Sequence, residues 1–167
     1  KLEKSVSAGS LPLELGLGLL EGKAYWGSYE AIPEDGTIDA VITSPPFAGS
    51  TRFYSSNWMR LWAAGWEPDD FRQRKTKFLE EQQKKGLSVY SKFFDHAASW
   101  LKPGGRLILH LGKTSKINMS DELRELSQDQ FDYVYAFDES VEGAEKFGIR
   151  DQGATKSHQF LFLRKSA

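Results

Sequence analysis

The most informative stretch of this sequence is Ile38-Asp-Ala-Val-Ile-Thr-Ser-Pro-Pro-Phe47. Four of its first six residues are β-branched and most are apolar, which predicts a buried strand. That strand must end at Ser44, because neither of the two prolines that follow can donate a hydrogen bond to a neighbouring strand. In open α/β sheets, ligands bind beyond the carboxyl ends of the strands. The residues just after this strand are therefore the first candidates for a functional site.

The sequence on either side alternates between strand-like and helix-like patterns. The turn Lys102-Pro-Gly-Gly105 introduces a second apolar strand, and Gly86 separates two helical patterns. Strands are predicted at 23–27, 38–43, 106–111, 131–137 and 158–164, and helices at about 69–85, at 88–101 and from residue 120.

This alternation predicts an α/β fold with a Rossmann-like, mostly parallel sheet and helices on its faces. No helix separates the last two strands, so we expect an antiparallel pair at the C-terminal edge of the sheet. Five strands are few for this class, and we therefore expect an incomplete sheet. Residues 1–22 show no clear periodicity and are expected to form a loose N-terminal segment, with one partial domain over residues 23–167.

Composition narrows the class of protein. The 167 residues are enough for one domain with a core, and 22 basic against 23 acidic side chains give a net charge of −1. The absence of cysteine excludes disulfides, cysteine zinc sites and cysteine nucleophiles. His110 and His158 lie too far apart in sequence to suggest a ligand pair, so no metal is predicted. No apolar run is long enough to span a membrane, and we expect a cytoplasmic protein without a membrane partner.

A resemblance to a known family accounts for the proline pair. Gly22-Lys-Ala-Tyr-Trp-Gly27 followed by Ile38–Phe47 resembles the fourth motif of DNA amino-methyltransferases and its lead-in, in which Asp, Asn or Ser precedes Pro-Pro and then Tyr or Phe. Leu101–His110 resembles the fifth strand of that family, and His158–Lys165 resembles its closing edge strand. The resemblance covers about residues 22–165.

The resemblance implies an enzyme that methylates an exocyclic base amine of DNA with S-adenosylmethionine, in a modification or restriction-modification system. Members with Ser at the first motif position more often methylate cytosine N4, whereas those with Asp or Asn more often methylate adenine N6. We therefore expect cytosine N4, with adenine N6 as the alternative. The expected partner is DNA with its target base flipped out of the duplex.

The family motif implies that Ser44, Pro45, Pro46 and Phe47 form the catalytic site. Hydrogen bonds from the amine to the Ser44 hydroxyl and the Pro45 carbonyl would favour a pyramidal nitrogen, whose lone pair can then attack a methyl group. The prolines keep the backbone rigid, and the Phe47 ring can stack on the flipped base.

Two further sets of residues are expected to bind the cofactor and the nucleic acid. Gly27 and Ser28 stand where the family often has Gly-Asp beside the cofactor, so they are the expected cofactor-binding residues. Arg52, Phe53 and Tyr54 combine a cation with aromatic rings and are expected to bind nucleic acid.

The glycine-rich cofactor turn of the family, Asp-Pro-Phe-x-Gly-x-Gly, has no convincing counterpart here. Neither residues 13–18 nor residues 46–50 reproduce it. We therefore expect a fragment, or a chain that needs a missing second half or partner chain. Three alternatives stay open: an RNA or protein-amide methyltransferase, a non-enzymatic methyltransferase-like module that binds nucleic acid or a partner subunit, and a structural α/β domain in which the prolines only end a strand.

Overall fold

A computed structural model describes residues 25, 28–49, 56–141, 145–146, 149–150 and 155–167. Glu34–Ala167 forms one compact unit, and Lys1–Pro33 is grouped as another. Within the first 33 residues, Tyr29–Ala31 forms a single 3₁₀ turn. The predicted loose segment 1–22 lies outside the described residues, as does the predicted strand 23–27 apart from Tyr25.

The larger unit contains a four-stranded sheet. Its strands in spatial order are β1 (Ile38–Thr43), β2 (Leu101–Lys113), β6 (Ser157–Lys165) and β3 (Phe131–Ser140). β1 pairs with β2 in parallel, whereas β6 is antiparallel to both of its neighbours, so β6 alone runs in the reverse direction. The remaining described strands are the short hairpin strands β4 (Glu145–Lys146) and β5 (Ile149–Arg150).

The sheet confirms a mixed α/β class but corrects the predicted arrangement of strands. A mostly parallel sheet was expected, but only one of the three strand pairs is parallel and the other two are antiparallel. β3 and β6 pair antiparallel as predicted, but β6 lies inside the sheet and β3 forms the edge. Alternate residues of β6 are buried from Ser157 to Leu163, while most of β3 is exposed. The segment His158–Lys165 is therefore not an edge strand.

The turn predicted just before Arg106 is a bulge within β2. Ile38 pairs with Leu101 and Ala40 pairs with Arg106, so β2 carries three more residues than β1 between these two pairs. Gly104 has a φ of +75°, a conformation that suits glycine. The extra residues are accommodated locally, and the pairing continues in register beyond them.

The helices are shorter than the pattern predicts. The segment predicted as one helix over residues 69–85 is broken into short α and 3₁₀ pieces and ends at Gly86, which has a φ of +135°. The described α-helices are α1 (Trp58–Ala63), α2 (Pro68–Gln73), α3 (Leu79–Gln82), α4 (Ser91–Trp100) and α5 (Met119–Ser127). The 3₁₀ segments of this region are Lys75–Lys77, Gln83–Lys85 and Leu87–Tyr90.

The spacing of Trp58, Trp62 and Trp66 predicts a helical stripe with Trp62 and Trp66 in the core, and for Trp62 this was wrong. The Trp62 side chain is 65% exposed. Trp66 is half-buried and packs its ring against Phe71 and Phe78. The Arg74 guanidinium lies 5.2 Å from the centroid of the Trp66 ring.

The core lies on one face of the sheet, where α4 packs on β2 and α5 packs on β2, β3 and β6. The opposite face carries aromatic rings from β3 and β6 and stays partly exposed. The prediction that β1 is buried was wrong, since none of its residues is buried and Ile42 is 74% exposed. No helix in the described part of the chain is long and apolar enough to cross a membrane. The core comprises chiefly Phe94, Ala97, Trp100, Leu107, Leu109, Leu111, Met119, Leu123, Leu161 and Leu163.

Candidate functional site

The Ser-Pro-Pro-Phe loop begins where β1 ends. The parallel register pairs Thr43 with Leu109, so the next residue on each strand, Ser44 and His110, lie side by side. Ser44 Oγ and His110 Nδ1 are 3.1 Å apart, which is hydrogen-bond distance. The Ser44 side chain is exposed to solvent. The loop thus presents a hydroxyl group that contacts an imidazole on the neighbouring strand.

Buried side chains contact the backbone carbonyls of Pro46 and Phe47, the last two residues of the loop. The Tyr90 hydroxyl lies 3.2 Å from the Pro46 carbonyl oxygen and 3.0 Å from Gln83 Oε1. Gln83 Nε2 in turn donates to the Phe47 carbonyl at 3.3 Å. Burial, and secondarily the charge of Glu80, raise the pKa of Tyr90, so its hydroxyl stays protonated and able to donate. Gln83 thus holds the Phe47 carbonyl, and the single Tyr90 hydrogen is shared between the Pro46 carbonyl and Gln83.

The first half of the loop is left with free acceptors. The Pro45 carbonyl accepts no hydrogen bond from any described residue, in contrast to the two carbonyls after it. Beyond the motif, the Ala48 N–H lies 3.1 Å from the Met119 sulfur, which ties the end of the loop to α5. The loop is therefore held at its C-terminal end, whereas the Ser44 hydroxyl and the Pro45 carbonyl at its N-terminal end can accept hydrogen bonds.

His110 lies in an aromatic cluster that favours its neutral form. The Phe160 ring stacks on it at 4.8 Å between centroids, and the Phe47 and His158 rings meet it edge-on at 5.2 Å and 4.8 Å. Burial and, to a smaller extent, the charge of His158 lower the pKa of His110, while Glu139 acts in the opposite direction. Its Nε2 is buried and has no hydrogen-bond partner among the described residues.

A glycine makes room for Phe47. A Cβ added at Gly112 would lie 2.6 Å from atoms of the Phe47 ring, closer than side chains tolerate. Gly112 belongs to β2, and its partner on β6 is His158, whose ring lies 5.6 Å from that of Phe47. The half-buried Phe47 ring is thus wedged between the glycine backbone and two imidazoles.

Of the remaining predicted site residues, the structure describes only Ser28. Gly27, Arg52, Phe53 and Tyr54 lie outside the described residues. Ser28 is exposed and belongs to the first unit, where its hydroxyl accepts from the Glu30 N–H at 3.4 Å and caps the 3₁₀ turn.

The expected S-adenosylmethionine contacts at Gly27 and Ser28 therefore stay a prediction. Ser28 uses its hydroxyl in a local cap, and it is the only one of the two expected cofactor residues that the structure describes.

His110 and His158 are the residues that sequence analysis missed. Their separation of 48 positions hid a contact that the antiparallel pairing of β2 and β6 creates, since Gly112 pairs with His158 and His110 pairs with Phe160. Gly112 near the end of an apolar strand was the available signal, because glycine in a strand often marks a close approach. No group of three or more metal-binding side chains occurs within the described ranges.

Comparison with known proteins gives structural matches only. No protein-family model matches the sequence, and a search of curated proteins finds no match. Two crystal structures of a Thermus thermophilus protein, provisionally named a DNA modification methylase, are similar at 17% and 18% identity, with TM-scores of 0.44 and 0.46. An antibiotic-resistance methyltransferase, Kmr, is similar at 14% identity with a TM-score of 0.40. Each match covers 83% of this chain, which spans 49–57% of the length of those chains.

Proposed function

We propose that this chain supplies the target-base site of an S-adenosylmethionine-dependent DNA methyltransferase that acts on an exocyclic amine, with cytosine N4 as the expected atom. The observation that carries the proposal is the pair of acceptors at the end of β1. Ser44 is exposed, and the Pro45 carbonyl receives no hydrogen bond from described residues. The following carbonyls are held by Tyr90 and Gln83.

This pair of acceptors suits an amine that is a poor nucleophile. The lone pair of an exocyclic amine is delocalised into the base ring, so the nitrogen is planar and weakly reactive. Hydrogen bonds from its two hydrogens to the Ser44 oxygen and the Pro45 carbonyl would favour the pyramidal form, which frees the lone pair. S-adenosylmethionine, when bound, supplies the electrophilic methyl group. The contribution of this chain is to position the amine and accept its hydrogens.

The buried side chains that contact the Ser-Pro-Pro-Phe loop favour a functional role for it over a simple strand end. A proline pair that only terminates a strand needs no buried side chains to hold its carbonyls. Here the buried Gln83 donates to the Phe47 carbonyl, and the buried Tyr90 hydroxyl shares its one hydrogen between Gln83 Oε1 and the Pro46 carbonyl. Such support fixes the geometry of the exposed acceptors, as transition-state stabilisation requires.

The direct test is transfer of labelled methyl groups from S-adenosylmethionine by the full chain. Duplex DNA, single-stranded DNA, RNA and a protein mixture are offered separately at equal nucleotide or residue concentration. We expect label in DNA at a rate well above that in RNA or protein. Preferential labelling of RNA or protein would replace the DNA proposal by the corresponding alternative. No labelling of any acceptor by a chain that calorimetric titration shows to bind S-adenosylmethionine would contradict an enzymatic function and favour the non-enzymatic module.

A second prediction concerns the Phe47 ring. Replacing Phe47 by Ala should weaken binding to a duplex with one mismatched, easily flipped cytosine by about 1–3 kcal/mol, because the ring no longer stacks on the base. Fluorescence anisotropy of the labelled duplex measures this change. Phe137→Ala is the matched control, since Phe137 is a partly exposed ring on the edge strand β3. Equal affinities for wild type and Phe47→Ala would argue against stacking.

A further inference from the structure

We infer that His110 takes up, through the Ser44 hydroxyl, the proton that the target amine loses. In this relay Nδ1 of His110 is unprotonated and accepts the hydrogen bond from Ser44. His110 does not touch the base and is therefore a positioning residue that acts through Ser44. The inference rests on the proposed function and adds a destination for the proton.

The chemistry requires such a destination. When the amine nitrogen bonds to the methyl carbon, the carbon–sulfur bond of the sulfonium donor breaks and its electron pair stays on sulfur. The nitrogen then carries a positive charge and one proton more than the neutral product. A serine hydroxyl cannot keep that proton as a carboxylate could. It can receive the proton only while it passes its own to a base, and the resulting imidazolium later releases a proton to water.

The geometry places one base at the required point. His110 Nδ1 lies 3.1 Å from Ser44 Oγ, and no other hydrogen bond from the Ser44 side chain is made within the described ranges. The stacked ring of Phe160 and the edge of Phe47 hold the imidazole in place. If Nδ1 accepts from Ser44, the hydrogen of the neutral imidazole is on the buried Nε2, which faces no acceptor among the described residues.

The groups around His110 keep its imidazole neutral before the reaction. Burial and His158 of β6 lower the pKa of His110, which keeps the imidazole ready to accept a proton at neutral pH. Glu139 of β3, the strand partner of His158, raises the pKa and so offsets part of this lowering, which preserves some of the basicity of His110. Among the described residues, these are the charged groups that act on His110 from the neighbouring strands.

Single-turnover methyl transfer measured against pH tests the relay. The wild-type rate should fall as the pH drops through the pKa of His110, because protonated Nδ1 cannot accept. His110→Asn keeps a hydrogen-bonding atom near Ser44 but cannot be protonated. We expect its rate to fall by about 10- to 100-fold, somewhat less than the contribution of a direct general base. We also expect the decrease in rate at acid pH, the acid limb, to disappear from its profile. A purely structural His110 would leave the shape of the profile unchanged.

Two matched variants shift the profile in opposite directions. His158→Asn removes a charge that lowers the pKa of His110, so the acid limb should move to higher pH. Glu139→Gln removes a charge that raises the same pKa, so the limb should move to lower pH. Shifts of both signs support the relay, and an acid limb that neither variant moves overturns it.

A spectroscopic measurement separates this inference from the proposed function. In ¹⁵N-histidine-labelled protein, His110 should be the neutral Nε2–H tautomer near pH 7, and Ser44→Ala should shift its Nδ1 resonance. An Nδ1–H tautomer, or a charged ring, would overturn the relay whatever the activity. Active wild type with an equally active His110→Asn variant would overturn the relay alone, whereas inactive wild type would overturn the proposed function and the relay with it.

Discussion

Replacement of Ser44 by Ala is expected to reduce methyl transfer to DNA by about 100- to 1,000-fold, the range found when one preorganised hydrogen-bonding group is removed from an active site. The variant loses the acceptor for one amine hydrogen and the link to His110 at the same time. Single-turnover rates at saturating DNA measure the loss. The affinity for DNA should change little, because Ser44 acts on the reacting amine rather than on the rest of the base.

Controls distinguish this effect from damage to the fold. Ser44 is exposed and lies beyond the end of β1, so the unfolding free energy should change by no more than about 0.5 kcal/mol in the variant. Ser44→Thr retains a hydroxyl group and should recover part of the rate. Ser88→Ala, at an exposed serine in a 3₁₀ segment, should behave as wild type. An unchanged rate for Ser44→Ala would refute the role of its hydroxyl.

Replacement of Gln159 by Leu is expected to lower the unfolding free energy by about 2–4 kcal/mol, the largest effect on stability that we predict. Gln159 is 1% exposed and joins three parts of the fold. Its Oε1 accepts from the Ser120 N–H at 3.1 Å, and its Nε2 donates to Asn118 Oδ1 at 2.7 Å and to Asp138 Oδ1 at 2.9 Å. The variant leaves the buried Ser120 N–H at the start of α5 without that partner.

The same substitution should show a defined pH dependence. The hydrogen bond from Gln159 is the largest cause that lowers the pKa of Asp138, and Lys113 adds to it. A lowered carboxyl pKa stabilises the fold above the unfolded value near 3.8, and this contribution is lost as the pH falls through the folded value. The difference in unfolding free energy between wild type and Gln159→Leu should therefore become smaller at acid pH. Urea unfolding at neutral and acid pH measures it, with Gln128→Leu at an exposed position as the control.

Local patterns predicted much of the fold. The β-branched run that ends at two prolines is β1, and the apolar run after the glycine pair is β2. Periodicity placed α4 to within a few residues, and the acidic first turn of α5 was also predicted. These features depend on nearby residues, such as the missing N–H of proline, and can be deduced from one segment at a time.

The features that were missed depend on pairing between distant segments. The central position of β6 follows from its contacts on both sides, with β2 and with β3, which no single strand pattern reveals. The meeting of Ser44 with His110 follows from the parallel register of β1 and β2, 66 positions apart in the chain. The exposure of Trp62 is likewise not visible in the four-residue spacing of the tryptophans. Each depends on tertiary contacts rather than on local propensity.

The measurement that tests the central claim most directly is the identity of the methylated nucleoside. Cytosine-rich duplex DNA is incubated with the chain and S-adenosylmethionine, digested to nucleosides and examined by mass spectrometry, with Ser44→Ala in parallel. We predict N4-methyldeoxycytidine with wild type and at most about 1% of that amount with the variant, from the rate loss expected above. N6-methyldeoxyadenosine would keep the amine chemistry and correct the base. A 5-methylcytosine product, or equal product from Ser44→Ala, would contradict the account of Ser44 and its loop.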